Sequence, residues 1–462
     1  MNLPHRFTGA LAVGGSVGRM SVSHGAAPVA PKKPVRVGLL GCGTVGNALA
    51  ELIAKDSAVL AASTGLGLEI ARVAVRDATK TRSVHVRPES VTGDPESVVS
   101  ASDVDVVVEV MGGVEPARSL ILSALRSGKP VVTANKELLA SHWSELFRAA
   151  ADSGVDLLHE AAVAGAIPLV RALRESLAGE TITSVMGIVN GTTNYILTKM
   201  SEAGTSYEDA LAEAQHLGYA ETDPTADVEG HDAAAKAAIL ATIAFGQEVR
   251  ASDVHTEGIS AISASDIAVV RRLGYEVKLL AVAESVDGGR VAVRVHPAMV
   301  PLDHPLAGVR GSFNAVFVVG EAVGEMMFYG RGAGGMPTAA AVLGDLVDAA
   351  HNLRSGGYGR VSVPIRAHIV PIDELVAQYF VSVDVADKPG VLATVARVFG
   401  DNQVSIRSME QVGLGDEAHL VFLTHTANEA RVQATLAGLE TCDAVKRVGA
   451  LLRVVGEPEG TR

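Results

Sequence analysis

The apolar positions of the first 163 residues fall into short continuous runs, separated by helical patterns. Continuous runs of this length are typical of parallel strands buried on both faces, whereas recurrence every three to four residues indicates helices. Helices are predicted at residues 47–55 and 115–127. The predicted strands are Val35–Leu40, Leu68–Val75, Asp103–Val110, a strand that ends just before Lys136, and Asp156–Val163. This alternation predicts an α/β fold with a doubly wound parallel sheet in residues 32–163.

The pattern changes after Pro168, and residues 164–329 are predicted to form an α+β domain for substrate binding and dimerisation. Thr181–Val189, Val291–Pro297 and Ala315–Gly320 have the residue types of strands, and helices are predicted up to residue 245. A glycine-rich loop at residues 330–335 then precedes another predicted helix, where a proline suits the first turn. We expect residues 330–355 to return to the first domain, with a flexible linker as the alternative.

The last predicted domain, residues 374–456, follows a linker at residues 356–373. Its predicted elements are Tyr379–Ala386, Pro389–Phe399, Val404–Val412, His419–His425, Asn428–Leu439 and Val445–Val455. Their order, β-α-β-β-α-β, is that of a ferredoxin-like domain. Because this segment shows no nucleophile, metal cluster or paired acids, we expect it to sense a ligand or to pack rather than to catalyse.

The first strand leads directly into Gly41-Cys-Gly43-Thr-Val-Gly46, and a helix follows. In this context the glycines permit a tight turn and let backbone N–H groups approach a pyrophosphate at the helix N-terminus, as in Rossmann-type domains. At the tip of the second strand, an arginine accommodates the 2′-phosphate of NADP, and a carboxylate binds the ribose of NAD. Arg76 comes first and Lys80 and Arg82 follow, so NADP is favoured, while Asp77 keeps NAD possible.

Composition and charge narrow the classes of function. The net charge of -13 argues against nucleic acid or an anionic membrane as the main partner, and no apolar run is long enough to span a membrane. Two cysteines, Cys42 and Cys442, cannot form a disulfide framework, so a cytoplasmic location is expected. Residues 1–31 faintly resemble a signal peptide, but they lack its strongly basic segment. We predict a disordered extension, with a true start at Met20 as a further possibility.

The chemistry converges on residues 218–236, which carry five carboxylates followed by Lys236 in an alanine-rich helical pattern. Asp232 and Lys236 are four residues apart, so they share one helix face. A lysine near a helix start, beside a carboxylate, can hold and pass a proton to a substrate oxygen. The alternative is an acidic helix entry with an ordinary ion pair.

Six motifs in order make the chain resemble homoserine dehydrogenase with a C-terminal ACT domain, from about Val35 to Val455. They are Gly-Cys-Gly-Thr-Val-Gly (41–46), Thr-Ala-Asn-Lys (133–136), Asn-Gly-Thr-Thr-Asn-Tyr (190–195), Gly-Tyr-Ala-Glu-Thr-Asp-Pro (218–224), Gly-His-Asp-Ala-Ala-Ala-Lys (230–236) and Gly-Ala-Gly-Gly-Met-Pro-Thr (332–338). The resemblance implies NAD(P)-dependent interconversion of L-homoserine and L-aspartate 4-semialdehyde in threonine and methionine biosynthesis. It also implies threonine as the effector of the ACT domain, with residues 387–390 at the rim of its site, and a homodimer or homotetramer.

The resemblance also implies roles for individual residues. Lys236 would be the acid/base with Asp232 as its partner, and Lys136 would lie between nicotinamide and substrate. Glu221 would bind the substrate ammonium, Asp227 would order the pocket, and Thr192 would lie beside the substrate. The cofactor would contact Gly41, Gly43, Thr44, Val45, Gly46, Arg76, Lys136 and Gly335. A sodium ion would be held by backbone carbonyls of Val163, Gly165 and Ile167, with Glu160; oxygen ligands suit such a hard cation.

Two rival functions stay open on the sequence alone. One is a different NAD(P) oxidoreductase of similar architecture that acts on another aldehyde or amino acid. The other is a catalytically silent amino-acid sensor that keeps the nucleotide fold. The intact set of Lys136, Glu221, Asp232 and Lys236 argues against the silent sensor.

Overall fold

The computed structural model of the protein describes residues 33–79, 85–359, 363–413 and 415–456. The predicted extension at residues 1–31 and the basic residues Lys80 and Arg82 lie outside this part of the chain. None of the helices within the described ranges is long and apolar enough to cross a membrane.

The first domain is built on a parallel sheet with the strand order β3-β2-β1-β4-β5-β6 among the described residues. The strands are β1 (Val35–Leu40), β2 (Leu68–Ala74), β3 (Val91–Thr92), β4 (Val106–Glu109), β5 (Val131–Thr133) and β6 (Leu157–Leu158). The helices are α1 (Thr44–Lys55), α2 (Ser57–Thr64), α3 (Pro95–Val99), α4 (Ala117–Arg126) and α5 (Lys136–Ser153). This order confirms the predicted doubly wound sheet, and it places a ligand crevice at the carboxyl ends of β1 and β4.

Parts of this domain differ from the sequence prediction. Helices α2 and α5 were not predicted. The strand predicted at Asp156–Val163 pairs only at Leu157–Leu158 and then becomes a 3-10 turn at Glu160–Ala162. The ladder ends there because the Glu160 amide donates to the Asp345 carboxylate at 2.7 Å rather than to a neighbouring strand.

The middle domain combines helices with long antiparallel strands. Its strands are β7 (Ile182–Ile188), β8 (Gln247–Glu248), β9 (His255–Thr256), β10 (Tyr275–Val286), β11 (Arg290–Pro301), β12 (Phe313–Gly320) and β13 (Gly324–Arg331). Its helices are α6 (Gly191–Ala203), α7 (Tyr207–His216), α8 (Thr225–Val228), α9 (His231–Phe245) and α10 (Ala264–Arg272). The buried, alanine-rich α9 packs on β10 and β11, so the sheet fixes the helix that carries Asp232 and Lys236.

After β13 the chain returns to the first domain through α11 (Gly335–Ser355), which packs along α1. Ala339, Val342 and Leu346 of α11 are fully buried in the same apolar cluster as Leu39 and Leu49. The described chain therefore completes the nucleotide domain with residues from its second half, as the glycine-rich loop at residues 330–335 indicated.

The C-terminal domain has the predicted order of elements. They are β16 (Tyr379–Ala386), α12 (Val391–Asp401), β17 (Ile406–Gly413), β18 (Glu417–Thr424), α13 (Glu429–Glu440) and β20 (Val445–Val454). Two short strands that were not predicted, β15 (Val376–Ala377) and β19 (Ala427–Asn428), pair with each other. In the preceding linker, β14 (Ile365–Arg366) pairs with β8 of the middle domain. The spatial order β20-β16-β18-β17 is that of a ferredoxin-like sheet.

This domain is joined to the middle domain more closely than the sequence, which shows a complete set of strands and helices for residues 374–456, indicates. Strand β20 pairs in parallel with β11, so the two sheets form one continuous sheet across the described residues. The C-terminal domain keeps a core around Tyr379 and Phe399, but Phe380 and Leu452 belong to the large apolar cluster that the first and middle domains share.

Candidate active site

Asp232 lies at the centre of a charged cluster where the first and middle domains meet. Its Oδ2 accepts a hydrogen bond of 2.6 Å from Lys236 Nζ, and its Oδ1 lies 3.1 Å from Lys136 Nζ. Lys236 Nζ also donates to the Val189 carbonyl at 2.7 Å. The side chains of Asp232 and Lys236 are only 11% and 12% exposed, whereas that of Lys136 is 35% exposed. One carboxylate thus holds two ammonium groups from two domains at the edge of the crevice.

Local structure brings these three side chains together. Gly230, at a φ of +83°, precedes α9 and directs its first turn, which carries Asp232, toward the crevice. Asn190 caps α6, since its side chain accepts from the Thr193 amide, and its Nδ2 donates to Asp232 at 2.9 Å. Lys136 is the first residue of α5, which Asn135 caps.

The electrostatics of the cluster fix its charge state. Burial by itself favours the neutral form of Asp232, but the ammonium groups of Lys236 and Lys136 outweigh burial and lower its pKa to about 2. Burial also disfavours the charged form of Lys136, yet the Asp232 carboxylate prevails and the pKa of Lys136 is raised. Asp232 is therefore an anion and Lys136 a cation at neutral pH.

The predicted substrate residues lie on segments next to this cluster. Asn190 Nδ2 donates to Asp227 at 2.7 Å, so one asparagine joins Asp227 and Asp232. Thr192 is buried and donates to the Tyr219 carbonyl at 2.7 Å, which ties α6 to the loop that carries Glu221. The Glu221 side chain itself is exposed on this loop.

Two helix N-termini approach each other at the predicted cofactor loop. Helix α1 starts after Gly43 and α11 after Gly334, and neither first turn has a side-chain cap. A Cβ at Gly46 would lie 2.3 Å from the Gly41 carbonyl, and one at Gly335 would lie 2.9 Å from Thr44 Cγ2. Uncapped N–H groups at two converging helix starts suit a pyrophosphate, so these residues fit a dinucleotide.

Apart from Lys136, the other residues predicted to contact the cofactor lie in α1 and just beyond β2. Val45 packs against the apolar cluster that contains Leu39 and Leu49. Arg76 is exposed just beyond the end of β2. The neighbouring Asp77 carboxylate accepts from the Thr79 amide at 2.9 Å and from the Thr79 hydroxyl at 2.7 Å. Asp77 is thus engaged in its own turn, which leaves Arg76 as the side chain better placed for a phosphate.

The predicted cation ligands form a sharp turn beside the second glycine-rich loop. Ala164 and Gly165 both have left-handed backbone angles, which reorient successive carbonyl groups. Gly165 lies close against Gly332, where a Cβ would be 2.5 Å from the Gly332 carbonyl. Glu160 is partly committed elsewhere, because its carboxylate accepts the amides of Val170 and Arg171 at 2.9 and 2.8 Å. The Ile167 carbonyl likewise accepts the Leu169 amide at 2.8 Å, so two of the four predicted ligands already have hydrogen-bond partners.

Sequence reasoning missed two residues that organise the site. Asn190 belongs to a quoted motif, but its link to both carboxylates was not predicted; its position directly before a helix was the available signal. Glu109 is fully buried at the end of β4, where it accepts from the amides of Met111 and Gly112 and from the Thr133 hydroxyl. Its carboxylate shapes the turn at the crevice. The sequence signal for this role was an acidic residue at the end of an apolar strand.

The site is that of an NAD(P)-dependent oxidoreductase. The sheet and the glycine loop suit a dinucleotide, and the cluster of two lysines and a carboxylate lies at the same crevice. The chain is 50% identical to the homoserine dehydrogenase of Mycobacterium tuberculosis strain H37Rv over 436 residues, covering 92% of this chain and 98% of that protein. Its fold matches the crystal structure of a homoserine dehydrogenase from Thiobacillus denitrificans with a TM-score of 0.85 and 39% identity, covering 92% and 98% of the two chains. The chain belongs to the homoserine dehydrogenase family.

Family models agree with this assignment part by part. The model described as homoserine dehydrogenase, NAD binding domain matches residues 41–160, and that described as homoserine dehydrogenase matches residues 168–347. The ACT domain model matches residues 379–441. A hyperthermophilic archaeal homoserine dehydrogenase in complex with NADPH is similar with a TM-score of 0.59 and 30% identity, covering 69% of this chain and 98% of that one. The protein is thus an oxidoreductase with a nicotinamide cofactor and an ACT domain.

Proposed function

We propose that Lys236 transfers the proton in the interconversion of L-homoserine and L-aspartate 4-semialdehyde. The observation that carries the proposal is the geometry of its ammonium group. An ammonium has three N–H donors, and here two of them reach Asp232 and the Val189 carbonyl. The third N–H is available for a substrate oxygen in the crevice. When bound, the nicotinamide cofactor supplies or accepts the hydride at the substrate carbon.

The other residues of the cluster have supporting roles in this proposal. In the reduction, Lys236 donates a proton to the carbonyl oxygen, and Asp232 holds its ammonium in place. Lys136, whose pKa is raised, keeps a positive charge between the cofactor and the substrate oxygen. We assign the substrate ammonium to Glu221 and the ordering of the pocket to Asp227 and Thr192, since Asn190 and Tyr219 connect these segments to α6.

NADP is the proposed preferred cofactor, and NAD the weaker one. The exposed Arg76 follows β2 at the position where a Rossmann-type domain meets the adenosine ribose. The engagement of Asp77 with Thr79 supports this preference, because a carboxylate facing the ribose would favour NAD.

Arg76→Ala is expected to weaken NADP binding by about tenfold or more and to leave NAD binding nearly unchanged, because only NADP offers a 2′-phosphate for a charge-assisted hydrogen bond. Titration of each reduced cofactor, followed by nicotinamide fluorescence, measures both dissociation constants. Arg72→Ala is the matched control, since Arg72 lies on β2 four residues before Arg76 but pairs with Asp103. An equal loss for both cofactors would place Arg76 outside the ribose pocket.

A sodium ion is the proposed monovalent cation, held mainly by the backbone oxygens of Val163, Gly165 and Ile167 and secondarily by Glu160. The support is the left-handed turn at Ala164 and Gly165, directly beside the loop that opens α11. Replacing sodium by choline at constant ionic strength is expected to lower activity, and activity that is independent of sodium would contradict the site.

Threonine is the proposed effector of the ACT domain, because it ends the pathway that this enzyme feeds. The rim at residues 387–390 is open: Gly390 is exposed with a φ of +89°, and the Asp387 side chain lies near Gly413 and Gln411 on β17. An ammonium group suits a carboxylate such as Asp387. We further propose a homodimer or a homotetramer in the cytoplasm, where the thiols of Cys42 and Cys442 stay reduced.

In the wild-type protein, threonine is expected to inhibit turnover, and Asp387→Ala should raise the half-inhibitory concentration by about 10- to 150-fold, the usual cost of losing a hydrogen bond between charged groups. The measurement is a threonine titration at fixed substrate and NADPH concentrations. Asp401→Ala, at the exposed end of α12, is the control, and threonine should inhibit this variant as it inhibits the wild type. Identical inhibition in all three proteins would move the effector away from this rim, and no inhibition of any of them would remove threonine as the effector.

A further inference from the structure

One segment lies between the ACT domain and the loop that leads into α9. Residues 255–266, here named the bridge segment, run from β9 into the first turn of α10. On one side the segment contacts ACT strands β18 and β20, and on the other it contacts residues 228–230. The bridge segment therefore contacts both the ACT domain and the loop before α9, the helix that carries Asp232 and Lys236.

Two buried ion pairs attach the bridge segment to the ACT domain. Arg453 of β20 is 4% exposed and donates two hydrogen bonds of 2.7 Å to Glu257. Its guanidinium also contacts the fully buried Glu429 at 2.6 and 2.8 Å. At the far end of the segment, His419 of β18 lies 3.3 Å from the carboxylate of Asp266, which is part of the capping box of α10.

The opposite face of the bridge segment holds the loop before α9. The Ile259 amide donates to the Val228 carbonyl at 2.9 Å, and the Ser260 hydroxyl donates to Glu229 at 2.8 Å. Gly258 leaves no space between the two segments, because a Cβ there would lie 2.5 Å from the Val228 carbonyl. These contacts lie between Asp227 and Asp232 in the chain. A shift of the bridge segment would therefore move residues 228–230 and, with them, the carboxylates of Asp227 and Asp232.

We propose that Glu257 is a positioning residue for the loop before α9, residues 228–230, and that Arg453 sets the position of Glu257, so that the bridge segment connects the ACT domain to the catalytic cluster. The proposal rests on the substrate and catalytic roles assigned above to Asp227 and Asp232. The contacts of the bridge segment connect the two sites although no residue of the ACT domain needs to lie in the crevice. Packed segments with hydrogen bonds on both faces can transmit small shifts over such a route.

Glu257→Gln separates this role from folding, because it retains the size of the side chain and Arg453 keeps Glu429 as its counter-ion. We expect KM for homoserine to rise by about 2- to 30-fold, the range found for residues that couple two sites without touching either ligand. The dissociation constant of NADPH should stay unchanged, since the glycine loop is not attached to the bridge segment. Arg453→Lys, which keeps the charge but loses the bidentate geometry, should act in the same direction.

Hydrogen–deuterium exchange of peptides that cover residues 225–236 provides a readout independent of catalysis. Glu257→Gln should exchange faster in this region than the wild type. Glu410→Gln is the matched control, because Glu410 also pairs across the domain boundary, with Arg272, but both side chains are exposed. The control should leave KM and exchange at wild-type values.

The outcomes distinguish the positioning role from the proposed function. Faster exchange together with a raised KM supports the proposal. Unchanged exchange in Glu257→Gln, or an equal effect of Glu410→Gln, overturns it. Faster exchange with an unchanged KM and kcat supports the positioning of the loop by Glu257 and overturns the pocket-ordering role assigned to Asp227.

Discussion

Lys236→Ala is expected to lower kcat by at least about 100-fold, the scale for removal of a general acid, while the affinity for NADPH stays near that of the wild type. The reason is the separation of the two sites. Lys236 serves the substrate oxygen, whereas the cofactor pyrophosphate is assigned to the starts of α1 and α11. The variant should also retain its fold, because Asp232 keeps Lys136 as a counter-ion.

The measurement is steady-state turnover with NADPH and aspartate semialdehyde, combined with a fluorescence titration of NADPH. Lys199→Ala is the matched control: this lysine also lies on a helix of the middle domain and pairs with a carboxylate, Glu213, but it is on the surface. The control should keep its kcat. If Lys236→Ala turned over at a near-normal rate, Lys236 would be only the ion-pair partner of Asp232.

Arg453→Met is expected to lower the free energy of unfolding by about 3–5 kcal/mol, the usual cost of breaking a buried ion pair from one side. Arg453 is the counter-ion of two carboxylates, and Glu429 has no exposure to water. Without the guanidinium, Glu429 and Glu257 repel each other in a poorly hydrated space. The apolar methionine can fill the volume, but it donates no hydrogen bond to either carboxylate.

Urea unfolding followed by far-UV circular dichroism would measure this loss. Arg447→Met provides the control on the same strand, β20. Its partner, Asp384, is partly exposed and Arg447 is half-exposed, so a change of about 0–1 kcal/mol is expected. A loss no larger than that of the control would show that Glu257 and Glu429 find other partners or take up protons at little cost.

The sequence contains much of the fold because the information is local. In the nucleotide domain, continuous apolar runs mark the strands and periodic runs mark the helices, and the glycine triplet follows β1 directly, so the order of elements and the glycine loop can be predicted. The strand predicted through Val163 failed for a non-local reason. The amide of Glu160 bonds to Asp345, a residue far along the chain that no pattern around residue 160 reveals.

The candidate site divides in the same way. The pair of Asp232 and Lys236 follows from helical spacing, but the contact with Lys136 requires two domains to meet. The contact between the C-terminal and middle domains likewise could not be predicted, because in the sequence Arg453 is an ordinary residue near the end of a strand. Its charge is neutralised by Glu257 and Glu429, and tertiary structure alone brings these three side chains together.

Helix α11 has a consequence for the order in which the protein can mature on the ribosome. The apolar faces of Leu39 and Leu49 are covered by Ala339, Val342 and Leu346, which emerge after the whole middle domain. At ordinary translation rates, synthesis of residues 164–334 takes about 10 to 35 s, and during this time the first sheet has an uncovered face. Chaperone binding to nascent chains should therefore be strongest before α11 emerges and fall once residue 355 has left the exit tunnel.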